Sequence, residues 1–212
     1  MTASELITQF ELQVNDITEL SDVEELSILN RVYLRICRQA QWEFLKVNAT
    51  GTILTDSVGS YIDVPSDFSM FSVNRNYTNN SISNDFDAAP KVIFVGPNYR
   101  PIQIVNYSDR RQYRNNNSYA YLDLANSKIY FCYPPVESTY DFDYIKVPAE
   151  LTTNTSPIFP SQYHSMIPYA MATENDILQL SPKAQSYAQE NQLMYKSDLN
   201  DMKMWNANLL MN

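Results

Sequence analysis

Glycine is almost missing from this chain: Gly51, Gly59 and Gly96 are its three glycines in 212 residues, where average usage would give roughly 15. The phosphate-cradling patterns G-x-x-x-x-G-K-[ST] and G-x-G-x-x-G do not occur, and neither does the G-x-S-x-G nucleophile elbow. Asparagine, the other residue that tolerates left-handed turns, fills in with runs at Asn79-Asn80 and Asn115-Asn116-Asn117. Cysteine is equally scarce. Cys37 and Cys132 build no disulfide framework and form no C-x-x-C pair, which suits a reducing compartment. With His164 as the single histidine, a tetrahedral N/S zinc site is hard to assemble, so neither structural metal nor cofactor is expected. Positive charge is also short: 15 Lys and Arg against 24 Asp and Glu leave a formal −9, which argues against broad phosphate binding. No apolar run approaches the roughly 20 residues of a bilayer span. The opening MTASELITQF lacks the basic start and apolar core of a secretory signal. No membrane association is expected, and the chain is expected to stay where it is made.

A hydrophobic fraction of 44% with 13% aromatics is enough to bury a sizeable core. Thr2-Ala3-Ser4-Glu5 reads as a capping box ahead of Leu6, Phe10 and Val14, which predicts a short amphipathic helix. Ser21-Asp22-Val23-Glu24 repeats the signal and opens a helix expected over 22–47, with Leu29, Tyr33, Ile36, Ala40 and Phe44 on its stripe. After Gly51 the period becomes alternating. Strands are expected at 52–55, 61–64, 68–73, 91–95, 119–124, 128–133 and 140–147, with a short helix capped at Tyr107 or Ser108. Residues 74–90 are polar and read as a loop or extended arm. From Ser161 the chain turns helical again, and Ser181-Pro182 starts a last helix towards the C-terminus. The fold class is therefore α+β: one domain over 1–212, a helical bundle core from 1–50 and 158–212, and an inserted antiparallel β-rich module over 51–157.

Chemistry-bearing patterns are few. A Cys132–His164 thiolate pair is conceivable, but Cys132 in KIYFCYPP suits a small buried side chain and His164 a packing or capping role. Asp141 and Asp143 alternate with Tyr140, Phe142 and Tyr144, which places both carboxylates on one strand face. Such a pair can do acid/base work or hold Mg²⁺, yet a solvated face opposite an aromatic core explains the spacing as well. Arg31, Arg35 and Arg38 form a row at i, i+4 and i+7, either a solvated face or a partner for acids on a neighbouring subunit. The terminal DMKMWNANLLMN puts Met202, Trp205, Leu209 and Leu210 where chains are normally polar, either folded back or docked on a partner.

Tyr61-Ile-Asp-Val-Pro65-Ser-Asp67-Phe68 resembles the Y-x-x-[LV]-P-x-D-[FW] segment of tailed-bacteriophage head-to-tail connector proteins, the adaptor or tail-tubular family. Ile129 to Pro135, Tyr140 to Pro148, and Phe159-Pro160 leading into 166–175 are similar to later segments in the same order, so the resemblance spans about 20–180. It implies a non-enzymatic structural protein of the virion neck, assembled in host cytoplasm as a homo-oligomeric ring of twelve. The ring would dock beneath the portal protein and offer a platform to a downstream tail or nozzle protein. The resemblance carries no catalytic residues. On this reading Met202, Trp205, Leu209 and Leu210 are expected to meet the portal, and Arg31, Arg35 and Arg38 an adjacent copy. Twelve copies at −9 each would let the genome pass during ejection without specific binding. Two alternatives stand beside it: an intracellular metal-dependent enzyme using Asp141 and Asp143, and a tail-attached host-binding module.

Overall fold

Local capping starts both N-terminal helices. In the computed structural model, which describes residues 1–14, 20–72, 91–174 and 182–209 (side chains of 182–188 excepted), Thr2 N–H donates to Glu5 Oε2 at 2.9 Å and Glu5 N–H to Thr2 Oγ1 at 3.3 Å. The stretch 74–90, the first asparagine run and Leu210 lie outside the described residues. This box opens α1 (Ala3–Gln13), which buries Ala3, Leu6 and Phe10. At Ser21 the backbone N–H and the hydroxyl both donate to Glu24 Oε2 at 2.8 Å, opening α2 (Asp22–Cys37). Those bonds, the backbone one foremost, hold the Glu24 carboxyl below its usual range.

The chain divides into two compact units, Met1–Leu45 with Pro148–Asn212, and Lys46–Val147. In the helical unit α2 stops at Cys37 instead of running to 47. The reason is a longer-range bond: the fully buried Trp42 folds back, its indole N–H donates to the Ile36 carbonyl at 3.0 Å, and its ring stacks on Phe44 at 5.5 Å. The same carbonyl also accepts from the Gln39 N–H at 3.1 Å, and a 3-10 turn at Glu43–Leu45 follows. A second 3-10 turn, Ser161–Tyr163, precedes α3 (Met166–Glu174), in which Met166, Ile167, Ala170, Met171 and Ala172 are all buried. Apolar all round, α3 packs against α1, α2 and α4 (Pro182–Leu209), so it is the centre of the bundle. Its Pro168 sits in the first turn, where no intrahelical N–H bond is lost.

The β unit carries β1 (Lys46–Thr52), β2 (Leu54–Thr55), β3 (Ser60–Asp63), β4 (Phe68–Phe71), β5 (Val92–Val95), β6 (Arg100–Val105), β7 (Tyr119–Asp123), β8 (Lys128–Phe131) and β9 (Thr139–Lys146). They form one mixed, nearly closed sheet in the order β1-β9-β5-β6-β7-β8-β3-β2, with β4 also on β9. The protein is thus α+β, as the order of its sequence signals implies. All ladders are antiparallel except β6 with β7, whose parallel pairing uses the connection 106–118 as a crossover. The expected short helix there is a single 3-10 turn, Tyr107–Asp109. Asn115 adopts φ +66°, the left-handed role expected of an asparagine in a glycine-poor chain. The inner face is a core of Ile62, Phe71, Ile93, Ile102, Ile129, Phe142 and their neighbours.

Two of the three glycines have assignable work. A Cβ on Gly51 would lie 2.8 Å from the Tyr140 hydroxyl, its cross-strand partner, so the ring covers bare backbone. Gly96 has φ +69°, and a Cβ there would lie 2.6 Å from Glu137 Cγ. Glu137 cannot give way easily: Arg100 Nε and Nη2 each donate to its carboxylate at 2.8 Å, which brings Glu137 down to about 2. Gly96→Ala is expected to lower unfolding free energy by about 1–3 kcal/mol, read by urea denaturation.

Candidate functional site

Arg31 and Arg35 of α2 converge on one carboxylate of their own chain. Arg31 Nε lies 3.1 Å from Glu174 Oε2 at the end of α3, and Arg35 forms an ion pair with the same carboxyl group. Arg38 is exposed and, among the described residues, meets no carboxylate. The row seen in the sequence is therefore split: two members tie α2 to α3, and the third points to solvent. Arg31 is still 63% exposed, leaving donors free for a second acceptor.

The residues singled out on the last helix also part company. Met202 is fully buried with Leu199 nearby in sequence, Trp205 is half-buried with its ring 6.1 Å from Tyr163, and Leu209 is exposed. Leu193, Met194 and Met204 are exposed too. A residue the sequence did not flag anchors the helix: buried Asn206 accepts from the Glu43 N–H at 2.8 Å and donates to the Gln41 carbonyl at 3.1 Å. No local pattern announces this contact, since its partners lie 163 and 165 positions away.

Asp141 and Asp143 do share a face of β9, opposite the buried Phe142. Asn48 on β1 donates to both, at 2.8 and 3.0 Å, and Lys46 lies 3.4 Å from Asp143. An amide and an ammonium thus occupy the carboxylate edges that a metal-dependent enzyme would need open. Cys132 is half-buried and its thiol is pushed up by burial, whereas a nucleophilic thiolate needs the opposite shift. His164 is buried: one ring nitrogen lies 2.9 Å from the Phe159 carbonyl and the other 3.1 Å from the Met1 ammonium. Desolvation holds its pKa below the ordinary imidazole value.

On the outer face of the β unit, strand register assembles a cation–aromatic array. Tyr61, Tyr130 and Tyr121 are directly paired across β3, β8 and β7, with ring centroids 5.7 Å apart at each step. Lys128 Nζ sits 3.7 Å from the Tyr61 ring centre and 2.8 Å from Asp56 Oδ2, which also accepts from the Tyr130 hydroxyl at 3.0 Å. The Lys128 bond holds Asp56 well below, and Lys128 well above, their usual ranges. Tyr107 meets Tyr121 edge-on at 5.7 Å, and the Arg110 guanidinium covers Tyr107 at 3.7 Å. The YIDVPSDF segment takes definite places here: Tyr61 faces outward, Ile62 enters the core, the Phe68 N–H closes a turn on the Pro65 carbonyl, and Asp67 accepts from the Tyr144 hydroxyl at 2.7 Å.

The sequence model of the SU10 adaptor protein family matches residues 1–210, and the chain belongs to that family. The expected kinship with phage head-to-tail adaptors is borne out: this is a phage structural adaptor, with portal and tail proteins as its general class of partner. A comparison with curated proteins finds no match. Among the described residues no helix is long and apolar enough to cross a membrane.

Two measurements check the anchors. Asn206→Ala is expected to cost about 1–3 kcal/mol in chemical denaturation, because two partly buried bonds are lost. A histidine neutral in the fold and protonated in the unfolded chain stabilises fully above its ordinary pKa, and this contribution falls as pH drops below that value. Between pH 7 and 5.5 the wild-type melting temperature should therefore fall more than that of His164→Gln.

Proposed function

We propose that this adaptor forms a closed ring at the phage neck, twelve copies joining the portal vertex to the tail and surrounding the DNA passage. The observation that carries the reading is family membership spanning essentially the whole chain. Charge supports it. The helical unit holds six basic and fourteen acidic residues, net −8, whereas the β unit holds nine and ten, net −1. The repulsion that would let DNA slide is thus concentrated in the helical unit, which in this reading lines the passage.

In this assembly α4 docks on the portal. Leu209 and Met204 make the outward contacts, Trp205 contributes its exposed edge, and Met202 holds the helix from inside; Leu210 is assigned to the same contact from the sequence alone. Arg38, with the spare donors of Arg31 and Arg35, faces acids of the adjacent copy. Assembly proceeds in host cytoplasm, and the free face receives the downstream tail or nozzle protein.

Negative-stain imaging of the full chain mixed with portal rings tests this. Added density with closed rotational symmetry is expected on the portal. Met204→Asp/Leu209→Asp should cut portal occupancy at least about tenfold, the loss of two apolar contacts, with an unchanged circular dichroism spectrum. Unaltered occupancy would move the docking surface off α4, and portals left bare by the wild-type chain would sink the ring reading.

A further inference from the structure

β1 has one paired edge and one bare one. Its ladder with β9 keeps a single register from Lys46 opposite Ile145 to Thr52 opposite Thr139, and the Ile53 N–H donates to the Ser138 carbonyl at 2.8 Å in the same register. Antiparallel backbone bonds recur at every second residue. Val47, Ala49 and Gly51 therefore turn their N–H and C=O groups to β9, while Asn48, Thr50 and Thr52 turn theirs away. β9 shows the matching parity: its Asp143 carbonyl accepts from the Ser72 N–H on the other side of the strand at 3.0 Å. Among the described residues no strand pairs with the second edge of β1, and Asn48, Thr50 and Thr52 are exposed. Three donors and three acceptors stand in a row.

Such an edge is usually blunted with proline, a bulge or charge. β1 reads KVNATGT, with no proline, an unbroken register and Lys46 as its one charge, at the start of the strand. The extended strand that this template fits best is its own. Placed antiparallel about a two-fold axis at Thr50, two copies oppose Thr50 to Thr50 and Asn48 to Thr52, which satisfies all the outward groups of these residues on both. Side chains agree on both faces. Thr meets Thr or Asn outside; inside, Val47 meets Ile53 and Ala49 meets Gly51, extending the apolar side on which Val47, Ala49 and Ile53 already pack against the core. Charge does not oppose the contact. Asp141 and Asp143 lie one strand further back, so the carboxylates of two copies stand three strand spacings apart, about 14 Å, beyond the roughly 10 Å Debye length of 0.1 M salt.

We propose that free chains of this protein pair through the outer edge of β1, in an antiparallel two-fold contact centred on Thr50. The pair goes beyond the ring reading. Ring closure leaves every copy pointing the same way round, whereas a two-fold axis opposes its members, so the pair belongs to chains that have not joined a ring. It covers an edge that would otherwise recruit other strands.

Sedimentation of the full chain without portal rings tests it. Twice the chain mass is expected at about 100 µM, and Thr50→Pro should weaken pairing at least about tenfold with an unchanged circular dichroism spectrum, because it removes an outward N–H and leaves the β9 ladder whole. Thr50→Cys in a Cys132→Ser chain gives a second reading. Opposed Cα atoms of a bonded antiparallel pair lie about 5.5 Å apart, within reach of a disulfide, so oxidation should join position 50 to position 50, located by peptide mass. A chain that sediments as a monomer, pairing indifferent to Thr50→Pro, or the absence of a 50-to-50 link would overturn the proposal. Portal rings built equally by the wild type and Thr50→Pro are expected; their loss in the folded proline variant alone would overturn it too, assigning the edge to the ring. Rings absent with the wild type remove the ring reading and leave the pair standing.

Discussion

A single residue, Ile53, separates the two ends of the sheet. β1 stands at one end of the strand order and β2 at the other, yet in sequence only Ile53 lies between them. One residue spans less than about 4 Å, so six strands cannot lie flat between those ends and the sheet must roll until they nearly meet. Rolling decides the rest of the unit. It turns one face of most strands inward, which gives the packed core around Ile62, Ile93, Ile129 and Phe142, and leaves Tyr61, Tyr130 and Tyr121 in file on the opposite face, with Tyr130 covered by its neighbours. A chain with three glycines has few of the usual kink positions for such curvature. A bulge between Phe68 and Met70, where β4 meets β9, is one irregularity the sheet does carry.

The helical unit meets a different constraint. α3 is apolar on every side, so it is stable only when enclosed, and α1, α2 and α4 enclose it. Polar groups then fix how those helices lie: Glu174 gathers Arg31 and Arg35, Asn30 exchanges two bonds with the Leu151 backbone at 2.9 and 2.7 Å, and Asn206 grips the 41–43 backbone. Each of these groups would also serve on a surface. Their use inside the chain explains why the arginine row and the terminal Met-Trp segment look like docking motifs while being partly structural.

What the sequence made legible was local. Capping boxes at Thr2 and Ser21, the alternation of β9, the final helix and the α+β order all depend on residues within a few positions of one another. The overlong second helix shows the limit: Ala40 and Phe44 continue the apolar spacing, but the Trp42 indole bond and β1 pairing with β9 outweigh it. β6 escaped notice because Pro101 argues against a strand. The cation–aromatic array needed strand register, and Glu174 and Asn206 needed partners more than 130 residues away, so no window of sequence contained them.

The helical unit is assembled from two segments, Met1–Leu45 and Pro148–Asn212, with 102 contiguous residues of β unit between them. A ribosome therefore delivers the β unit entire before the segments that enclose α1 and α2 exist. Until α3 emerges, the buried faces of the first two helices have no cover, and Leu6, Phe10, Leu29 and Ile36 are open to water or to a chaperone. Biosynthesis thus delivers the curled sheet before the bundle can close, so the surface carried by α4 comes into being only after the β unit is complete.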